Sequence, residues 1–244
     1  MRPLKLRLIS DWEIPSATDG IKPMGERRSQ WLKEMQVSVC LDVGANTGQY
    51  GLGVLANGFD GRLVSFEPLM YEYEDLSRQA KRHSCWDTRN FALGDFNGEA
   101  EINIAGNSQS SSLLPMNKRH ADSAPSSKYI GKQVVEVARL DSLWKSIVSD
   151  TDRAWLKIDV QGAEASVLDG LGIFPEQLCA VELELSLVDL YEGQPSMSAL
   201  LNRLSDAGYV LAALEDVFWD SNTLETLQIN GIFLRRFHSE HPST

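Results

Sequence analysis

Two segments of this 244-residue chain combine glycines, amides and carboxylates at spacings suited to holding and activating a small ligand. The first reads Leu41-Asp42-Val43-Gly44-Ala45-Asn46-Thr47-Gly48-Gln49-Tyr50 and joins an apolar run to a helical one. Glycines there let the backbone turn tightly and let a ligand approach the main chain. Asp42 is placed to accept from a ligand ammonium, directly or through water. Glu67 and Pro68 close the next apolar run, with Glu67 nineteen residues beyond Gly48. A carboxylate at that position suits ribose hydroxyls. The second segment reads Trp155-Leu156-Lys157-Ile158-Asp159-Val160-Gln161-Gly162-Ala163-Glu164. Asp159 ends its strand, where a carboxylate can take a hydroxyl proton, hold a metal or orient a substrate. Its plainer alternative is a cap for the helix that begins near Ala163. Glu164 falls in that helix's first turn, where a carboxylate favours the helix dipole, and is read as structural.

Three further groups could contribute. Glu182 and Glu184 share a face of one strand, because side chains alternate along it. Asp159 with Glu184 would form a hard oxygen site suited to magnesium or manganese. The alternative is one acid at a strand end and one bonded to backbone or arginine. His120 lies in a long insertion, as a base delivered by a lid or as a solvated loop residue. Asn90-Phe91-Ala92-Leu93-Gly94-Asp95 ends the third strand, and Asn90 and Ala92 there would flank an adenine or simply form a junction.

A dinucleotide site competes for the same turn. It requires G-x-G-x-x-G directly after the strand. Gly44-Ala-Asn-Thr-Gly48 lacks the close glycine pair, and Gly51-Leu-Gly53 falls too late, inside the helix. Carboxylates near the turn suit the sulfonium of S-adenosylmethionine better than a pyrophosphate. The residues therefore favour a methyltransferase over a dehydrogenase.

The elements that must position these groups alternate. Strands are expected at 37–43, 62–66, 87–92, 155–160, 178–185, 209–214 and 231–235. Helices are expected at 27–35, 50–56, 69–83, 163–171 and 196–207. Apolar strands alternating with helices give an α/β fold, a mostly parallel sheet flanked by helices on both faces. Period-2 stretches at 99–105 and 133–138 break the rhythm. They predict a hairpin-like insertion, about 99–138, after the third strand. The segment 108–132 within it is a lid or a surface loop. The expected organisation is an arm and short helix at 1–36, one domain at 37–236 and a tail at 237–244.

Composition bounds the partners. Apolar residues make up 43%, enough for a sizeable core, and the net charge is -11. That charge disfavours nucleic acid, with Lys118-Arg119-His120 as the nearest local basic patch. Cys40, Cys85 and Cys179 form no C-x-x-C pair and read as small buried hydrophobes in a reducing compartment. No membrane span is expected, so the simplest location is the cytoplasm. Homo-oligomerisation is left open.

The chain resembles the FkbM family of methyltransferases. The resemblance rests on Asp42 to Tyr50, Ser65-Phe-Glu-Pro68, Asn90 to Asp95, Leu140-Asp-Ser-Leu143, Leu156 to Glu164 and Val167-Leu-Asp-Gly170. Leu190-Tyr-Glu-Gly-Gln-Pro195, Gly208-Tyr209 and Gly231-Ile-Phe-Leu-Arg235 follow in order. It implies a Rossmann-like class I methyltransferase fold and O-methylation of a sugar or of a glycosylated or polyketide natural product. By that likeness Asp42, Gly44, Asn46, Gly48 and Glu67 hold S-adenosylmethionine, and Asp159 lines the methyl site. Transfer to nitrogen or to a carboxylate, or an inactive cofactor-binding member, are the alternatives.

Overall fold

The strands whose residues are all buried form the centre of the sheet. The computed structural model describes residues 22–235, so the arm before them and the tail with His238 and His241 lie outside the described residues. In chain order the elements are α1 (Met24–Glu34), β1 (Val39–Val43), α2 (Gln49–Ala56), β2 (Arg62–Phe66), α3 (Met70–Ala80), β3 (Trp86–Arg89) and β4 (Ala92–Leu93). There follow β5 (Gly98–Ala105), α4 (Lys118–Ser123), β6 (Tyr129–Ala138), α5 (Leu140–Ile147), β7 (Ala154–Ile158) and α6 (Glu164–Leu171). The last are β8 (Leu178–Ser186), α7 (Met197–Asp206), β9 (Tyr209–Trp219) and β10 (Thr226–Arg235).

Seven strands form one sheet in the order β3-β2-β1-β7-β8-β10-β9. All pairs are parallel except those made by β10, which runs antiparallel to both β8 and β9. Every residue of β1 and β7 is buried, as strands covered by helices on both faces must be. Strand order reverses between β1 and β7. Open sheets of this kind bind ligands beyond the carboxyl ends of their strands at such a reversal. The register also aligns polar residues. Ser65, Asp42, Lys157 and Glu182 occupy one row across β2, β1, β7 and β8.

The expected third strand divides. β3 ends at Arg89, and Ala92 opens β4, which joins a second sheet of order β4-β6-β5. The insertion is thus three-stranded: β5 and β6 pair antiparallel, and β4 pairs parallel to the end of β6 at Val137 and Ala138. Nor is 108–132 a bare loop, since it carries α4 and a short 3-10 turn at Pro125–Ser127. Its apolar Leu114 and Met116 pack on Leu190, Tyr191 and Leu227. Helix α3 runs Met70–Ala80, shorter than the expected 69–83, and Pro68 precedes it. Helix α5 has no counterpart among the expected helices. Its Leu140, Trp144 and Ile147 are spaced to bury one stripe against the main core.

Candidate functional site

A cavity of about 310 Å³ lies at the strand-order reversal. The turn after β1 contributes Gly44, Ala45, Asn46 and Tyr50 to its wall, and the end of β2 contributes Glu67 and Pro68. Ala92, Asp159, Gln161 and Glu184 face it from β4, the turn after β7, and β8. Ser108, Gln109, Ser111 and Leu113 close it from the insertion.

Gly44 is what lets two of these segments meet. Its φ is +75°, and a Cβ there would sit 1.8 Å from the Asp159 carbonyl oxygen. The Gly44 and Ala45 N–H groups both donate to the Phe66 carbonyl at 3.0 Å, and the Asp159 N–H donates to the Val43 carbonyl at 3.0 Å. The ends of β1, β2 and β7 are therefore stitched together by main-chain bonds, and every side chain that follows is aimed from this knot.

Glu67 is part of the same knot. Its Oε2 accepts from the Asn46 N–H at 2.8 Å and its Oε1 from the Leu69 N–H at 2.9 Å. Burial pushes its carboxyl up to about 7, against those two donors. Each carboxylate oxygen retains a second lone pair for a hydroxyl in the cavity. Asn90 does not reach the cavity wall. Its Nδ2 donates to the carbonyls of Glu67 (2.9 Å) and Pro68 (3.1 Å) and so holds the end of β2 in place. Gly48, likewise expected at the ligand, packs instead against Trp86 and Leu76 at the start of α2.

Asp42 is held inside the protein. Expected to meet a ligand ammonium, it is wholly buried and absent from the cavity wall. It already has a cation within the protein: Lys157 Nζ lies 3.1 Å from its Oδ1, while the Ser65 hydroxyl donates to its Oδ2 at 3.2 Å. Lys157 also donates to the Gly44 carbonyl at 3.2 Å and lies 3.6 Å from Asp159 Oδ2. Burial disfavours its charge, but Asp42 and then Asp159 outweigh this and hold it protonated above the usual lysine range. Glu182 continues the row. It accepts from Arg28 of α1 (Nε, 2.9 Å), from the Tyr50 hydroxyl (2.8 Å) and from Trp155 Nε1 (3.3 Å). The Tyr50 ring lies between the two cations, 5.2 Å from the Arg28 guanidinium and 5.3 Å from Lys157 Nζ.

The expected Asp159–Glu184 metal pair is bridged by an amide. Gln161 Nε2 donates to Asp159 Oδ1 at 2.8 Å and to Glu184 Oε2 at 2.7 Å. Gln228 Nε2 donates to the same Glu184 oxygen at 2.7 Å. Burial first, then Asp159 and Glu164, push the Glu184 carboxyl well above its ordinary range, which favours the neutral acid. Among the described residues no cluster of three or more histidine, cysteine or acidic side chains is arranged to hold a metal. An amide donor bridging the two carboxyl groups does not fit a divalent cation, which needs converging anionic oxygens. Glu164 folds back on its own turn, its Oε1 accepting from the N–H groups of Gly162 (3.1 Å) and Val160 (3.3 Å).

His120 lies apart from these groups. It is buried in α4, outside the cavity wall, edge-on to Tyr191 at 5.1 Å and beside Phe218 at 5.3 Å. Among the described residues its Nδ1 has no partner, and burial lowers its pKa to about 4. In Lys118-Arg119-His120, the nearest candidate for a local basic patch, Lys118 pairs with Asp122 and Arg119 with Glu225.

Four participants were not singled out in the sequence: Lys157, Arg28, Gln161 and Tyr191. Lys157 carried the plainest signal, a lysine in an otherwise apolar strand, which must find an acid or leave the core.

A mostly parallel seven-stranded sheet with a cavity at its strand-order reversal is the architecture of the Rossmann-like methyltransferases. Residues 42–211 match the model of the methyltransferase FkbM domain, and the chain belongs to that family. No curated protein matches it. Among solved structures it is similar to methyltransferase FkbM from Methylobacillus flagellatus, at 15% identity over 80% of this chain and 43% of that one, TM-score 0.46. The chain therefore spans less than half the length of that protein. It is also similar to precorrin-6y C5,15-methyltransferase from Geobacter metallireducens, at 14% identity over 93% and 96% of the two chains, TM-score 0.45. A third is magnesium protoporphyrin IX methyltransferase from Synechocystis, solved with bound SAM, at 12% identity over 87% and 78%, TM-score 0.47. Among the described residues no helix is long and apolar enough to cross a membrane.

Proposed function

We propose that the protein transfers a methyl group from S-adenosylmethionine to a hydroxyl of a sugar, or of a glycosylated or polyketide natural product. The observation that carries this reading is that the Gly44–Asn46 turn, Glu67 and Asp159 face one cavity. Gly44 gives that cavity a wall of bare backbone, and Glu67 offers lone pairs to vicinal hydroxyls. Asn46, Tyr50, Pro68 and Ala92 complete the cofactor's surroundings in this proposal.

The bound cofactor supplies a sulfonium methyl that is already attached to a good leaving group. The work left to the protein is to orient an alcohol and take its proton, and a positioned base contributes about 10² to 10⁴ in rate. Asp159 is the group proposed for this, since its side chain is about a third open while Lys157 and Gln161 fix it from behind. The insertion residues Ser108, Gln109 and Ser111 supply hydroxyl and amide contacts for a neutral acceptor.

The test is calorimetric titration with S-adenosylmethionine and with NAD, followed by transfer from labelled cofactor to a panel of glycosides and macrolactones. Binding of the first alone is expected. Asp159→Asn should keep that binding and lose about a hundredfold or more in turnover. Activity should survive a chelator. Binding of NAD in preference, or an Asp159→Asn variant of unchanged turnover on a hydroxyl acceptor, would refute the reading.

A further inference from the structure

Gln161 makes more directed contacts than any lining residue needs for packing. Its backbone is left-handed at φ +55°, an uncommon conformation for a residue with a side chain. Both ends of the residue are pinned. Its carbonyl accepts from the Ser112 hydroxyl at 2.7 Å, and its Oε1 accepts from the Tyr191 hydroxyl at 2.8 Å. With Oε1 committed to Tyr191, Nε2 must face the two acids, and its two protons match the two acceptors, Asp159 Oδ1 and Glu184 Oε2. A reversed amide would set Oε1 against the Asp159 carboxylate, which has no proton to give, and would leave the Tyr191 hydroxyl to donate to the Ser110 carbonyl alone. The phenol and the Asp159 carboxylate therefore favour the same sense of the amide, and the amide bridges the two carboxyl groups.

Tyr191 belongs to the segment on which the insertion docks. The Met116 backbone bridges that of Tyr191, and the Asn117 N–H donates to the Leu190 carbonyl at 2.8 Å. The Glu192 N–H donates to the Pro115 carbonyl at 2.9 Å. The Tyr191 hydroxyl also lies 3.2 Å from the Ser110 carbonyl, and its ring is fully packed. A Cβ on Gly162 would come within 2.9 Å of that ring, so the turn that follows Gln161 is shaped to accept it.

We infer that Gln161 is a positioning residue, oriented by Tyr191, that holds Asp159 and Glu184 in one arrangement and makes it depend on the docked insertion. For Asp159 as the base, this rests on the methyl-transfer reading above. The linkage itself rests on the hydrogen bonds alone. Removing the Tyr191 hydroxyl frees the amide to turn, and removing the amide deprives both acids of a donor. Because the two residues act in series, their losses should not add.

The test uses the full chain with Tyr191→Phe, Gln161→Met and the double variant. The first readout needs no cofactor: titration of the Glu184 carboxyl followed by carbon-13 NMR. Lys157 on β7, Glu164 on α6, Gln228 on β10 and Asp159 face that carboxyl and stay in place. Losing the Gln161 donor removes a bond that favours the ionised form, so the Glu184 midpoint should move to higher pH. Tyr191→Phe should move it in the same direction, and the double variant no further than Gln161→Met. With an accepted substrate, each single variant should lower kcat on the order of tenfold to a hundredfold. The KM for S-adenosylmethionine should change by less than about twofold.

An unmoved Glu184 midpoint in Gln161→Met would overturn the inference. So would losses in kcat that multiply in the double variant, or a lowered melting temperature with kcat and titration unchanged. Tyr191→Phe preserves the packed ring and keeps the test open where Gln161→Met fails to fold. Wild-type protein that binds no S-adenosylmethionine would remove the proposed reaction, and the titration would still decide the linkage.

Discussion

Replacing Gly44 by alanine should separate the two halves of the site, and the cost can be worked from the geometry. The added Cβ would lie 1.8 Å from the Asp159 carbonyl oxygen and 2.9 Å from its carbon. Non-bonded carbon contacts settle near ~3.5 Å or more, so β1 and β7 must part by more than about 1 Å at their carboxyl ends. The neighbour is backbone, which cannot swing aside like a side chain. Alanine at φ +75° adds about 1–2 kcal/mol of left-handed strain. Overpacking of this kind adds about 1–3 kcal/mol. The sum, about 2–5 kcal/mol, corresponds to a melting temperature lower by roughly 4–20 °C for a chain of this size. Gly53→Ala is the matched control. Gly53 lies in helix α2 with none of the described residues within 4 Å of its would-be Cβ, so alanine should leave stability unchanged or raise it by up to ~1 kcal/mol. Thermal melts of the two variants, with S-adenosylmethionine titrated into each, make the comparison. If Gly44→Ala melts with the wild type and binds as tightly, the close approach of the two segments does not shape the site.

Cofactor affinity should depend on pH through Glu67. A ribose hydroxyl donates to the ionised carboxylate, whose pKa burial raises to about 7, so affinity should fall as pH drops below that value and level off above it. Calorimetry across this range checks it, and a flat profile would dismiss Glu67 as the ribose acceptor. Stability should carry a second pH signature, from His120. Its folded pKa of about 4 lies below the ordinary 6.5, so the unfolded chain takes up a proton first and stability falls as pH drops between those values. His120→Phe should flatten that part of the profile in denaturant melts. An unaltered slope would place its cause elsewhere.

The fold was largely legible because its signals are local and repeated. All seven main-sheet strands and the helices around the two motifs follow from apolar runs punctuated by glycine and proline. What failed was locally ambiguous. Nothing in Asn90-Phe91-Ala92 marks the passage from one sheet to another, because the partner of Ala92 is Val137, far along the chain. The site was legible as a set of segments and less so as a set of roles. Asp42 lies one residue before the end of β1 and Asp159 one residue beyond the end of β7, and that offset buries Asp42 against Lys157 and leaves Asp159 beside the cavity. The pairing of Gln161 with Tyr191 spans 30 residues and depends on how the insertion docks, which no spacing encodes.

The salt bridge between Arg28 and Glu182 joins the helix before the first strand to the middle of the sheet. Glu182 is almost wholly buried, and a buried acid left without its cation costs about 3–5 kcal/mol. A chain begun at β1 would keep every strand and still strand a negative charge in its interior. Helix α1 is therefore the counter-ion of a sheet it does not belong to. Any trimming, splicing or fusion that moves it acts on the charge balance beneath Tyr50 and Lys157 long before it touches a residue of the cavity itself.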